Sequence, residues 1–207
     1  MNYAIHKRTY ADGQAYRYHI SDEAGHLCYI AEPTGRLLPS PTRLVEFFDP
    51  DHNRTGRLQP PVVAPWRRGK RYEVFTYSEG EETKEPHAVI QERWRLVDIL
   101  LLRLPRYEVQ LGDYCYLVRG SRYGERFYEI FHLRGEEGID EGTGKDEEIG
   151  KIGENGEEHE LKEVKVGQIQ RSTAGPSYIV EADAAPLRQA PLVLAALAIL
   201  IDMELHS

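Results

Sequence analysis

Four cations fall within five residues at Arg67, Arg68, Lys70 and Arg71, bracketed by the aromatics Trp66 and Tyr72. Guanidinium and ammonium groups at that density make charge-assisted hydrogen bonds to phosphate oxygens, and flanking aromatics suit the boundary between water and acyl chains. An anionic phospholipid headgroup is the ligand such a turn fits. The plainer reading of the same residues is a solvated basic turn between strands that supports no core. A nucleic-acid backbone fits poorly, because the body of the chain is near neutral and one segment is strongly acidic.

The other chemistry-bearing residue types do not assemble into a reaction. Asp49-Pro50-Asp51-His52-Asn53 offers oxygen and imidazole ligands, but Asp, Pro and Asn in a row form a tight turn without any metal. Gly142-Thr143-Gly144-Lys145-Asp146 departs from a phosphate loop: Ile139 stands where the earlier glycine is required, and Asp146 stands where a hydroxyl should ligate magnesium. The eight histidines are scattered without a zinc-protease spacing, and Gly120-Ser121 lacks a nucleophile elbow. No catalytic residue, metal or cofactor is therefore expected, and the reading is non-enzymatic. Cys28 and Cys115 each lie among Tyr and Leu, as buried thiols of a reducing compartment do; a disulfide between them is the alternative.

Asp202 is different in kind, because it follows an unbroken run of ten apolar residues from Leu192 to Ile201, with Leu197 near its middle. Pro191 suits the first turn of a helix, where its missing N–H has no partner to lose. A helix apolar on every face must be buried on every face. Ten residues cover about 15 Å, roughly half a bilayer core. The run predicts a central helix over about 190–204, with Ala195, Ala196 and Ala198 permitting close approach of whatever surrounds it. Near that helix's C-terminus the dipole disfavours an anion, so Asp202 either reaches solvent or accepts hydrogen bonds that lock the helix in register.

The elements available to surround the helix are strands. Thirteen tyrosines tilt the composition towards β structure. Alternating segments bounded by turn residues recur at Tyr16 to Ile20, Leu27 to Ala31, Arg43 to Asp49, Arg71 to Tyr77, Tyr107 to Leu111, Tyr114 to Arg119, Arg126 to His132, Glu163 to Arg171 and Ser177 to Ala182. Trp94 to Leu104, apolar without clean alternation, reads as one central strand or two, and Asn2 to Thr9 is a candidate for one more. Amphipathic helices between the strands, which parallel sheets require, are missing. The expectation is one domain over 1–207: a mainly β, closed antiparallel barrel of about twelve strands around a central hydrophobic C-terminal helix.

Charge divides the chain unevenly. Residues 135–160 hold eleven Asp or Glu against two Lys and seven glycines, a local charge of -9, which leaves +1 for the remainder. With almost no large apolar side chain, this segment reads as a flexible acidic loop inserted in a hairpin. The N-terminal residues lack the apolar run of a signal peptide, and no stretch supplies the ~20 apolar residues of a membrane span. A cytoplasmic location, with or without peripheral membrane association, follows as the expectation.

The C-terminal third resembles the tubby C-terminal-like superfamily. The residues that carry the resemblance are Val166-Gly167-Gln168-Ile169, Gly175-Pro176-Ser177-Tyr178-Ile179-Val180-Glu181-Ala182-Asp183, and Pro191-Leu192-Val193-Leu194-Ala195 leading to Ile199-Leu200-Ile201-Asp202. Tyr18-His19-Ile20-Ser21-Asp22 with Gly25, and Tyr107-Glu108-Val109 before Gly112, are similar to hairpins of the same group. The branch most alike is the LURP-one-related proteins, with the phospholipid scramblases as cousins. The resemblance implies a twelve-stranded barrel around a hydrophobic helix, an acid at the position of Asp202 with a structural role, and a relation to membrane lipids. Three binding readings follow: anionic phospholipid at the membrane surface through the basic turn, a protein partner docked on the acidic loop, and a small apolar ligand carried inside the barrel.

Overall fold

The computed structural model describes residues 1–9, 16–34, 44–60, 69–78, 80–93, 106–120, 127–134, 150–151, 160–173, 175 and 177–205. In chain order the strands are β1 (Asn2–Thr9), β2 (Tyr16–Ser21), β3 (Leu27–Thr34), β4 (Leu44–Phe48), β5 (Arg54–Gln59), β6 (Arg71–Ser78) and β7 (Glu81–Glu82). Then come β8 (Ala88–Arg93), β9 (Arg106–Leu111), β10 (Tyr114–Gly120), β11 (Phe127–Arg134), β12 (Gly150–Lys151), β13 (Glu160–Arg171) and β14 (Ser177–Ala182). Two helices end the chain, the single turn α1 (Ala185–Arg188) and α2 (Pro191–Leu205).

Among the described residues, twelve strands close into one antiparallel barrel, with β7 and β12 as two-residue additions to the outer ends of β6 and β13. Neighbours in sequence are mostly neighbours in the wall, as hairpin connections dictate. Two pairings complete the ring: β11 with β13, where Ile130 faces Gly167, and β1 with β14, where Ile5 faces Tyr178. Closure removes both sheet edges, so no row of unpaired N–H and C=O groups is left on the wall.

Alternation decides what points inward. In β2, Tyr18 and Ile20 are fully buried while Arg17 and His19, on either side of Tyr18, face out. The inward set, including Ile5, Val45, Phe47, Leu58, Ile90, Val109, Ile130 and Val180, meets α2 in one apolar cluster. Every residue of α2 from Leu192 to Met203 is buried, Leu197 completely, and the helix begins at Pro191. The Ala190 carbonyl accepts from the N–H groups of Val193 and Leu194, which starts the helix cleanly. Each Leu or Ile so enclosed contributes about 1.5–3 kcal/mol of transfer free energy.

Several expectations need correction. Strand β5 and strand β8 are additional to the segments that alternation marks. The stretch Trp94 to Leu104, expected as strand, lies outside the described residues, and only its flanks are seen: β8 ends at Arg93 and β9 begins at Arg106. Most of the acidic loop also lies outside them, while Gly150 and Lys151 pair with Leu161 and Glu160, so β13 starts three residues earlier than its alternation suggests. Cys28 and Cys115 are free and half-buried rather than enclosed. Burial, followed by the Glu108 charge, pushes the Cys115 thiol up to about 11, so it is an unreactive thiol near neutral pH.

Candidate functional site

The barrel has two unlike ends. Helix α2 starts at the lower mouth, beside the turns Asp22 to His26 and Asp49 to Asn53, and finishes at the upper mouth. There the basic turn, the last residues of β1 and the first residues of β2 converge on its final turn.

Two carboxylates end the helix, and each is enclosed by the same donor types. Asp202, 1% exposed, accepts from the Tyr18 hydroxyl at 2.6 Å, the Tyr178 hydroxyl at 2.9 Å and Lys7 Nζ at 2.8 Å. Glu204 accepts from Lys70 Nζ at 2.8 Å, from the Tyr107 hydroxyl at 2.9 Å and from the Tyr72 hydroxyl. Residues two apart on a helix point about 200° from one another. Asp202 therefore reaches the β1, β2 and β14 wall, and Glu204 reaches the opposite wall at β6 and β9. The lysines offset the two anions that the helix dipole disfavours here. Lys7 Nζ also lies 4.3 Å from the Tyr16 ring centroid, and Tyr16 meets Tyr18 edge to face at 5.6 Å.

Electrostatics follow from this enclosure. Burial, then the charge of Asp202, holds the Tyr18 and Tyr178 hydroxyls far above the ordinary phenol range. Burial, then Glu204, does the same to Tyr107. All three remain neutral donors at any physiological pH. Each of the four carboxylate oxygens accepts at least one hydrogen bond from a phenol or an ammonium group. The arrangement braces the helix against the wall.

The residues of the basic turn separate on inspection. Tyr72 points inward and is fully buried against Glu204, so it presents no aromatic face to a membrane. Lys70 is committed to Glu204, and its backbone N–H donates to Glu92 Oε2 at 3.1 Å, which makes this part of the turn a support of the core rather than a purely solvated connection. Arg71 faces out and pairs with Glu73 at 3.2 Å. Trp66, Arg67 and Arg68 lie outside the described residues. Of the two roles the sequence allows Asp202, the structure shows the hydrogen-bonded one; its partners Lys7, Tyr18 and Tyr178, and the whole Glu204 group, were not foreseen. The one available signal was the excess of tyrosine at inward strand positions.

The loop at Asp49 is a turn built on its own carboxylate. Asp49 Oδ1 accepts from the N–H groups of Asp51 and Asn53 at 2.9 and 2.8 Å, and His52 takes the left-handed φ of 64°. No cluster of three or more metal-ligating side chains occurs among the described residues. Nor, among them, is any helix long and apolar enough to cross a membrane.

Charge distinguishes the mouths. Among the described residues, the two outermost positions of the barrel strands supply seven arginines at the upper mouth, namely Arg8, Arg17, Arg71, Arg93, Arg106, Arg119 and Arg171, against one acid, Glu92. Among the described residues, the same positions at the lower mouth supply only two arginines, Arg54 and Arg134, against Glu160 and Glu181, and its turns add Asp22, Glu23, Asp49, Asp51, Asp113 and Asp183. No family model, curated protein or solved structure matches the chain.

Proposed function

We propose that this protein is a non-enzymatic, cytoplasmic barrel that docks peripherally on anionic phospholipid with its upper mouth towards the membrane. The observation that carries the reading is the segregation of charge along the barrel axis. Seven strand-end arginines ring the upper mouth. The strand ends there are joined through residues 10–15, 35–43, 61–68, 94–105 and 121–126, whose sequence holds eight arginines, three acids and both tryptophans. The acidic run 135–149 leaves from Arg134, at the lower mouth. A negatively charged bilayer attracts one end of such a molecule and repels the other, with attraction of about 1 kcal/mol per cation decaying over a Debye length. The sequence of the same connections also holds Leu37, Leu38, Val62, Val63 and Leu100 to Leu102, side chains of the type that partition into a bilayer interface.

Co-sedimentation with vesicles tests the reading. Phosphatidylserine-containing vesicles are expected to bind the protein, neutral phosphatidylcholine vesicles to leave it in solution, and binding to weaken steeply from low to physiological salt. Arg67→Gln with Arg68→Gln, which spares the braced Lys70, is expected to lower affinity roughly thirtyfold, the equivalent of about 2 kcal/mol. Absence of vesicle binding at every salt concentration rejects the proposal, and places the acidic run, as a docking element for a protein partner, next in order.

A further inference from the structure

The outer wall between β1 and β2 breaks the usual rule of strand pairing. His6 lies directly opposite His19, and Arg8 directly opposite Arg17. Like charges so placed repel, and opposite charges are the favourable choice. All four side chains face away from the core, with His6 and Arg8 exposed and Arg17 and His19 half-buried. Cross-strand spacing of about 5 Å and a two-residue repeat of nearly 7 Å confine them to one small patch.

The surroundings relieve this repulsion only in part. From β3 the facing groups are Ile30, opposite His19, and Glu32, which takes Arg17 at 2.7 Å. From β14 comes Ser177, whose Oγ lies 2.8 Å from His6 Nδ1. Among the described residues of β3 and β14 that face the patch, the one carboxylate, Glu32, is engaged by Arg17. Burial, then the positive charges of Arg8 and Arg17, lowers the His19 pKa, so the field at this patch is positive as well as the composition.

We propose that His6, Arg8, Arg17 and His19, with the Ser177 hydroxyl at their edge, form a binding site for the phosphate group of a soluble phosphorylated ligand. A tetrahedral dianion offers acceptor oxygens to a guanidinium and two imidazoles at once, and its charge converts the cross-strand repulsion into attraction. A soluble source is favoured over a bilayer because wall side chains stand roughly perpendicular to the strands. The patch thus looks sideways while the upper mouth looks along the barrel axis. Arg8 and Arg17 are also two of the seven upper-mouth arginines, so the site shares them with the membrane reading above, while His6, His19 and Ser177 belong to it alone.

Nuclear magnetic resonance of the histidine ring signals tests it, with His6→Gln and His19→Gln giving the assignments. Titrations between pH 5 and 8 are run in chloride and in inorganic phosphate at matched ionic strength, then with glycerol 3-phosphate. Phosphate and glycerol 3-phosphate are expected to raise the apparent pKa of both histidines, and Arg8→Gln, a change at an exposed side chain, to weaken phosphate binding roughly tenfold. Titration curves that are the same in chloride and phosphate, or an unaltered affinity in Arg8→Gln, overturn the proposal. A response to phosphatidic acid vesicles without one to glycerol 3-phosphate overturns the soluble source.

Discussion

Tyrosine, lysine and carboxylate do at the upper mouth what apolar side chains do elsewhere in this barrel: they fix the helix against the wall. Their energetics differ, because removing one member leaves the others buried and unpaired. Lys7 and Asp202 have side chains only 13% and 1% exposed. Asp202→Ala strands an ammonium group and two phenol hydroxyls, and is expected to lower stability by about 3–5 kcal/mol in urea unfolding. Lys7→Met combined with Asp202→Leu replaces the charged pair by apolar volume and is expected to recover much of that loss. Equal stabilities for the single and double variants would show that the pair is solvated and braces nothing. The phenols make a second expectation at this scale. Tyr18, Tyr107 and Tyr178 have pKa values raised above the ordinary value near 10 that they take in the unfolded chain. Below pH 10 both states hold these protons and the full stability is present. Above pH 10 the unfolded chain releases protons that the folded one retains, so stability falls as pH rises, by about 1.4 kcal/mol per pH unit for each tyrosine. Phenolate absorbance should therefore appear for these residues only as near-ultraviolet circular dichroism is lost; their ionisation near pH 10 in an intact fold refutes the enclosure.

At the scale of elements, legibility in the sequence depended on how completely a segment obeyed its period. Helix α2 was legible because ten consecutive apolar residues admit few other fates and Pro191 marks the start. Strands β5 and β8 were not, and each fails at one inward position. In β5 that position is Gly56, where the helix presses against the wall. An added Cβ there would lie 2.8 Å from the Phe75 carbonyl oxygen and 3.0 Å from Leu192 Cδ1. A residue required by close approach looks, in sequence, like a break in alternation. In β8 the position is Glu92, 4% exposed, a polar group placed inward at the helix end. Gly56→Val, which improves the alternation and the strand propensity, is expected to destabilise by about 1–3 kcal/mol through overpacking. A gain in melting temperature would mean that helix and wall are not in contact at that point. The braces were illegible for a related reason: a tyrosine at an inward position carries no sign that its hydroxyl has a carboxylate partner more than ninety residues away.

Over the whole molecule, the chain's two ends complete one another. The wall is mostly a run of hairpins, but its last seam joins β1 to β14, and nothing local in the sequence reports a pairing across some 170 residues. The polarity of the mouths was hidden for the same reason, since a connection can be assigned to a mouth only when the direction of every strand is known. The seam also couples wall to core, because β1 brings Ile5 into the apolar cluster and Lys7 to Asp202. Deleting residues 1–9 removes all of this together. It exposes the edges of β2 and β14, opens a route from water to α2, and leaves Asp202 without its ammonium partner. Unpaired edges of this length recruit other strands, so the shortened chain is expected to be multimeric or insoluble rather than a loosened monomer. The same geometry provides its remedy. A synthetic peptide of residues 1–9 can add as a strand between β2 and β14, with backbone hydrogen bonds giving affinity and the alternating Tyr3, Ile5 and Lys7 giving register. Supplied during refolding, it is expected to restore a monomeric elution volume and the near-ultraviolet spectrum, while a peptide with Ile5→Asp is expected to fail. A shortened chain that stays monomeric with an unchanged spectrum would show that the ring does not depend on its last seam, and that the helix is held by the other strands alone.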